Sequence, residues 1–438
     1  MAGSAVGGVD PARATWSLVS EPVLYLARFV PPEAVFVTVQ AAAIGLAVIP
    51  LWRLAREDAD LRVGATVAVC TAMVLAPALQ RTNLTAFHPE AIALPALLWA
   101  YRAARRDHLV RYAALIALVL CCRADLGLTV AALGLVLASK GRRLQGLVTA
   151  AVGTAWVSVA ILVLDPQLPD RSLTPAGEFV ARAVSPLAAL PRLLGHPVTE
   201  VRELLSEPSV LFLVVVLAPL LFLPLMAPRM LAVALPGLAL AMIADRAVQR
   251  AAQRGVLDLS PVAAHVAPSL SFVFVAAVYA LERIGTRSVT RINVDRRVLL
   301  ALLAGASLFF VTEAPTSPYR TPWAWGSRDA VDGARRLAVA DIDDADAVAV
   351  SPRVTALVAA RAHLVELPPD PDDLTVARVA AVTDRADVIV LDTSAEATAP
   401  DAVAWDDQAR RRVLDRFADQ GFDPTFTAQG VYRLERTS

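Results

Sequence analysis

The chain has 438 residues, of which 56% are hydrophobic and 19% charged, and its mean hydropathy is +0.55. This is more apolar surface than a soluble globular protein of that length can bury, so the composition excludes an ordinary soluble enzyme and points to an integral membrane protein. The formal net charge of zero hides a division near Gly326: residues 326–438 hold 21 acidic and 13 basic residues, net −8, which leaves +8 on the first 325.

The N-terminus, MAGSAVGGVDPARATWS, lacks both a basic start and an apolar run and does not read as a signal peptide. Residues 1–33 are expected to form an extracytoplasmic tail. Membrane-type apolar segments follow at about 34–54, 63–80, 90–104, 109–121, 125–139, 144–165, 208–226, 230–243, 266–283 and 298–313. They predict a polytopic α-helical membrane region over 34–313 with about ten transmembrane or re-entrant helices. Several are shorter than the roughly 20 residues that cross a bilayer along its normal, and those are expected to be re-entrant or supported by neighbours. Pro219, Pro224, Pro228 and Pro236 divide the apolar run after Glu207 into two kinked helices. Cys70, Cys121 and Cys122 lie inside apolar segments without metal-ligand spacing and read as small core residues.

Cytoplasmic loops collect Lys and Arg, so the basic clusters orient the chain. They are Arg53, Arg56 and Arg62; Arg102, Arg105, Arg106 and Arg111; Lys140, Arg142 and Arg143; Arg229; and the run from Arg283 to Arg297. With ten crossings all of them fall on the cytoplasmic side of the plasma membrane. One continuous helix over 109–139 would put its basic ends on opposite faces, so a break near Arg123 is expected. The polar groups Asn83, His88, Glu90, Arg123, Asp125 and His265 then lie towards the outer face, with the loop 166–207 and the acidic C-terminal part. The same topology leaves the N-terminus outside with nothing to carry it there, and a helix preceding this sequence is expected.

Residues 314–327 form a Pro- and Trp-rich linker in which Trp323 and Trp325 can anchor at the interface. Beyond it, 328–438 read as a small soluble extracytoplasmic α/β domain. DAVAVSPR and ADVIVLDTS are predicted strands, RVTALVAARA and DQARRRVLDRFADQG amphipathic helices, and TFTAQGVYRLER a terminal strand pair. No Gly-rich phosphate loop follows either strand, so neither nucleotide nor nucleic acid is an expected ligand.

Ionisable groups at membrane depth are paired, line a wet cavity or do chemistry. His88 and Glu90 flank Pro89 where a loop enters a helix. Either His88 holds a substrate phosphate or hydroxyl and Glu90 acts as general base or ligand to a divalent metal, or Glu90 answers the positive end of its own helix and His88 is interfacial. Arg123 and Asp125 are two apart at a helix start, a spacing that does not place them face to face on a helix. Asp125 is expected as an N-cap, with a catalytic role as the other reading. Arg123 is expected to bind a phosphate or to pair with Glu90. Asn83 is a candidate substrate contact, and His265, before Pro268, is either another or an interfacial histidine.

NLTAFHPEAIALPALLWAY, followed by CCRADLGLTVAALGLVLASKGRRLQG, resembles the bacterial membrane family named domain of unknown function 2079. The resemblance runs from about Glu21 onward. It implies a GT-C-like fold and transfer of a sugar from a polyprenyl-phosphate carrier to an acceptor at the outer surface, with inversion. It also implies a divalent metal, magnesium or manganese, with Glu90 as the candidate ligand. The family's Asp-rich first loop is not in this sequence, EPVLYLARFVPPEAV resembling only its tail, and Arg-Ala-Asp stands after Cys122 where a further acid is usual. Catalysis would then rest on Glu90, His88 and Asp125, and substrate binding on Arg123, Asn83 and His265. Two other classes fit the residues. One is a non-catalytic membrane scaffold whose C-terminal domain binds an envelope partner. The other is a lipid or solute transporter, for which the absence of internal repeats and the clustering of charge at one face count against.

Overall fold

The computed structural model describes residues 17–26, 29–30, 32–84, 87–123, 125–160, 207–244, 266–288, 290–319, 328–343, 345–358, 361, 363–368, 371–394 and 405–436. The membrane-type half is helical: α1 Ser20–Leu26, α2 Pro32–Leu46, α3 Val48–Arg53, α4 Val63–Val74, α5 Pro77–Leu84, α6 Ala93–Arg105, α7 Leu109–Cys122, α8 Leu126–Ser139, α9 Arg143–Val159, α10 Glu207–Leu217, α11 Pro228–Ala244, α12 Ala267–Ile284 and α13 Arg296–Glu313. A π-turn, Leu54–Asp58, extends α3, and a 3₁₀ turn, Pro89–Ile92, leads into α6. Each of the ten apolar segments contains helix among its described residues, but ten separate crossings do not follow. Among the described residues, Ala34–Asp58 and Ala267–Ile284 are long and apolar enough to cross a membrane alone, and Val63–Val74 with Pro77–Asn83, bent by 46°, makes a third if the pair is one span.

The expected break at Arg123 is present: this residue is extended, with φ −162° and ψ 144°, between α7 and α8. The proline-rich run also divides as expected, through two 3₁₀ turns between which Leu221 and Phe222 adopt positive φ, rather than through a simple kink. Helix α1 lies within the stretch expected to be a tail.

Residues of four separate basic clusters meet at one end of the bundle. Arg102 bonds Glu57, and Arg106 reaches the same carboxylate at 2.7 Å. Arg142 forks onto Asp107 in the turn between α6 and α7 and holds that carboxyl below the usual carboxylate range through its hydrogen bond. Arg291, on the second strand of the hairpin β1 Thr286–Ser288 and β2 Arg291–Asn293, donates to the Arg56 carbonyl.

Helices α8 and α9 are pressed together at glycines. A Cβ on Gly134 would stand 2.4 Å from the Ala150 nitrogen, and one on Gly146 the same distance from that of Ala138. Backbone-to-backbone approach of this kind is how apolar helices associate where no hydrophobic drive separates protein from lipid.

The C-terminal α/β region comprises α14 Ala330–Ala340, β3 Val348–Val350, α15 Pro352–Val358, β4 Leu364–Glu366, α16 Val376–Thr383, β5 Val388–Asp392, α17 Asp407–Ala418, β6 Phe422–Ala428 and β7 Val431–Arg436. The sheet order is β4-β3-β5-β7-β6, with β4, β3 and β5 parallel and β7 and β6 antiparallel. One apolar cluster gathers Ala334, Ala338 and Val354 from α14 and α15, and a second gathers Val379, Val413 and Phe417 from α16 and α17. At the ends of β3 and β5, buried Arg335 donates to Asp392 at 2.7 Å while the Asp392 N–H donates to Ser351. Helix α15 packs against α2, so the α/β region touches the helical one beside the segment that carries Gln40.

The glycine packing predicts opposite signs for two Gly→Ala changes. Gly134→Ala forces two backbones apart and lowers stability by about 1–3 kcal/mol. Gly45→Ala, whose Cβ meets nothing within 4 Å in α2, raises it by roughly 0.5–1 kcal/mol through helix propensity. Thermal unfolding of the two variants in one detergent checks the sign of each.

Candidate functional site

The polar groups at the other end of α6 and α8 form one cluster. His88 is extended just before the 3₁₀ turn, with φ −111° and ψ 95°, and Pro89 takes the first turn position, where a missing N–H does no harm. This brings His88 Nδ1 to 3.2 Å from Glu90 Oε1. Across from them, Arg123 Nη1 donates to the same Glu90 oxygen at 2.6 Å. The other edge of the guanidinium embraces Asp125: Nε donates to Oδ1, and Nη2 to Oδ2 at 2.7 Å.

This geometry corrects the reading of Asp125. It begins α8, but its φ of −67° and ψ of −19° are helical and its side chain accepts no cap hydrogen bond. Spacing of two does not bring side chains together on a helix. Here Arg123 is extended rather than helical, and its guanidinium closes a bidentate fork on Asp125. Arg123 pairs with Glu90, the second of its expected roles, and spends three of its five N–H donors on carboxylates.

The side chains of Glu90 and Asp125 are only 2% and 8% exposed, that of Arg123 11% and that of His88 12%. Ala91, Leu94, Val119 and Leu126 around them belong to the apolar core. In such surroundings a lone charge is expensive, and a carboxylate–guanidinium–carboxylate chain is the arrangement that keeps each group compensated.

Gln40, on α2, completes the local scaffold and had not been singled out. It is 2% exposed. Its Nε2 donates to the Thr82 carbonyl at 2.6 Å, and its Oε1 accepts from the His88 N–H at 2.6 Å, so one amide fixes the end of α5 to the turn that carries His88. Phe36, one turn earlier, stacks on Phe87 at 5.0 Å. A lone glutamine in the apolar run PEAVFVTVQAAAIGL is the signal that could have found it, since buried polar groups in such runs have partners to meet. Arg81, also buried, donates to the Glu313 carbonyl at 3.2 Å and ties α5 to the end of α13. Asn83 stands at the end of α5 with its side-chain oxygen buried and without a hydrogen-bond partner among the described residues. His265 and the loop 166–206 lie outside the described residues.

A divalent metal does not fit this donor set. Among the described residues, no group of three or more His, Cys, Asp and Glu side chains could hold a metal ion. The two carboxylates nearest His88 are bridged by a guanidinium, which would repel a cation placed between them.

A family profile described as predicted membrane protein, DUF2079, matches residues 17–431, which covers the whole cluster and most of the α/β region. The chain belongs to the DUF2079 family. That membership and the apolar helices agree on a membrane location. A search of functionally curated proteins returned no match.

The pairing predicts a pattern of stabilities within this DUF2079 protein. Arg123→Ala leaves two buried carboxylates uncompensated and is expected to cost about 3–5 kcal/mol. Adding Glu90→Gln and Asp125→Asn to it should recover most of that loss, because the uncompensated charge is then gone. Thermal or denaturant unfolding of the single and triple variants reads this directly, and additive losses would contradict it.

Proposed function

We propose that the chain is a GT-C-like membrane glycosyltransferase that moves a sugar from a polyprenyl-phosphate carrier to an acceptor hydroxyl, with His88 as general base. The observation that supports this most is the contact between Glu90 and His88 Nδ1. A carboxylate at that nitrogen favours the tautomer with its proton on Nδ1, which makes Nε2 the proton acceptor. Glu90 is thereby the orienting group rather than the base, and Arg123, gripped by Asp125, is the clamp that fixes Glu90.

In the step itself, Nε2 takes the proton of the acceptor hydroxyl as its oxygen attacks the anomeric carbon. The bond from that carbon to the phosphate oxygen breaks, and its electron pair leaves with the polyprenyl phosphate. Attack from the face opposite the leaving group inverts the centre. Approach of reactants held by the bilayer and by the site supplies much of the acceleration, and general base catalysis contributes about 10²–10⁴-fold.

The wider arrangement is a multi-pass protein whose basic end is cytoplasmic and whose His88 end, linker and α/β region face outward. Convergence of the loops bearing Arg56, Arg102 and Arg142 at a single end supports this orientation, because positive residues are retained inside. A helical domain over 34–313 and an extracytoplasmic domain over 328–438 are the corresponding units.

A second reading is a membrane scaffold, favoured by the fact that Glu90, Arg123 and Asp125 satisfy one another as a purely structural network does. Exposed Leu337 and Val376 on the α/β region would then meet an envelope partner.

Transfer assays with polyprenyl-phosphate hexoses and the full chain in nanodiscs separate the two. His88→Ala is expected to lower transfer by about 10²-fold or more while leaving the unfolding temperature near that of the wild type. Undiminished turnover in His88→Ala would overturn the assignment of the base, and no turnover by the wild type with any donor would favour the scaffold.

A further inference from the structure

At the basic end of the bundle, four helices bring together a group of donors that lacks a matching set of acceptors. Tyr101 and Arg105 come from the last turns of α6, Lys140 caps α8, Met230 opens α11 and Tyr279 lies near the end of α12. Tyr101 is fully buried and its ring meets that of Tyr279 edge-on at 6.3 Å, with its hydroxyl donating to the Tyr279 hydroxyl at 3.4 Å. Lys140 Nζ donates to Tyr101 Oη at 3.3 Å and stands 5.3 Å from the Tyr279 ring centre. Arg105 lies over the other part of that ring, 5.5 Å from its centre, and Nη1 donates to Tyr279 Oη. The remaining neighbour of the lysine is the Met230 sulfur at 3.7 Å, a weak acceptor.

Several other cations of this end have carboxylates within ion-pair distance. Arg102 and Arg106 share Glu57 and Asp58, and Arg142 has Asp107. Among the described residues Arg105 and Lys140 have no carboxylate within ion-pair distance; Glu282 acts on both and Asp58 on Arg105 from farther off, and both cations point at one tyrosine pair. Two cations, eight N–H donors between them and two phenolic hydroxyls face two hydroxyl oxygens and a sulfur. Like charges converging on one ring are unfavourable by themselves, and an anion between them reverses the sign. A phosphate group, with several acceptor oxygens and negative charge, matches this inventory. Beside the cations, Leu225 and Met226 in the 3₁₀ turn that leads to α11 are 52% and 41% exposed, which supplies an apolar rim for acyl chains.

We propose that Arg105 and Lys140, converging on the Tyr101–Tyr279 pair, bind the phosphate of a phospholipid headgroup at the basic end of the bundle. This site is distinct from the His88 cluster, at the opposite ends of the same α6 and α8, and it does not rest on the transferase reading.

The test uses the full chain purified in a neutral detergent, with phosphatidylglycerol, phosphatidylcholine and inorganic phosphate added separately. Phosphatidylglycerol should raise the unfolding temperature and perturb the tyrosine ultraviolet band, whereas phosphatidylcholine should do neither. Loss of charge-assisted hydrogen bonds in Arg105→Gln/Lys140→Gln should weaken phosphatidylglycerol binding by about tenfold or more. Tyr279→Phe, which keeps both rings and both charges, serves if the double variant does not fold: it should retain binding and remove most of the tyrosine perturbation. Equal binding by wild type and the charge variant, or no tyrosine perturbation in the wild type, would overturn the site. A full response to inorganic phosphate alone would overturn the lipid headgroup as its occupant.

Discussion

The pairing of Arg123 with two carboxylates is the interaction on which the candidate site depends. Its guanidinium reaches forward to Asp125 and across to Glu90, so a single residue joins the α7–α8 junction to the turn before α6. That grip requires Arg123 to be extended, and the extended residue is what interrupts the helix. The break is therefore not a weakness in a long apolar helix. It is the conformation that lets one arginine pair with two acids at once. Gln40 does the corresponding work on the remaining side, holding the backbone at His88 through α2.

Helix length gives this pairing its urgency. Helices α6 and α8 have 13 and 14 residues, which at 1.5 Å per residue is about 20 Å. A bilayer's hydrocarbon core is about 30 Å thick. If Arg105 and Lys140 stand at one interface, as the proposed topology has it, Glu90 and Asp125 would lie roughly 20 Å inward and short of the far one, and tilt would only deepen them. At such depth single charges are disfavoured and compensated chains persist. The same shortness explains why, among the described residues, two or three segments are long enough to cross alone. Close glycine contacts between α8 and α9 fit helices that depend on neighbours more than on lipid.

Much of the helical region was legible because apolar runs bounded by charge are strong signals, and each of the ten runs contains helix among its described residues. The break at Arg123 was legible too, through the distribution of basic residues. What failed was local geometry. Asp125 followed the commonest role for an aspartate at a helix start, and only the extended backbone of Arg123 shows why its oxygens turn away from the cap. In the α/β region β3 and β5, fully buried within the apolar runs DAVAVSPR and ADVIVLDTS, stood out, while β4, whose exposed Glu366 breaks its apolar character, and α16, between proline- and aspartate-rich stretches, did not. Both are held by the sheet and by packing on the second apolar cluster, which are tertiary effects that a local pattern does not carry. Gln40 was missed for a related reason: its importance lies in two backbone groups more than forty residues away in sequence.

Charge counting within the site bears on how a phosphate leaving group could be tolerated there. With His88 neutral, Glu90, Asp125 and Arg123 sum to one negative charge, so the resting cluster repels an anion and Arg123 is poorly placed to attract one. In the proposed transfer, His88 taking the acceptor's proton would bring the sum to zero. Repulsion would then fall as negative charge gathers on the departing phosphate, and an interaction that improves between ground state and transition state is the kind that accelerates a reaction. A site built around a permanently positive arginine would do the reverse, binding the product phosphate more tightly than the transition state requires. In the proposed step the fixed charges would hold the histidine, and the transferred proton would cancel the cluster's net negative charge.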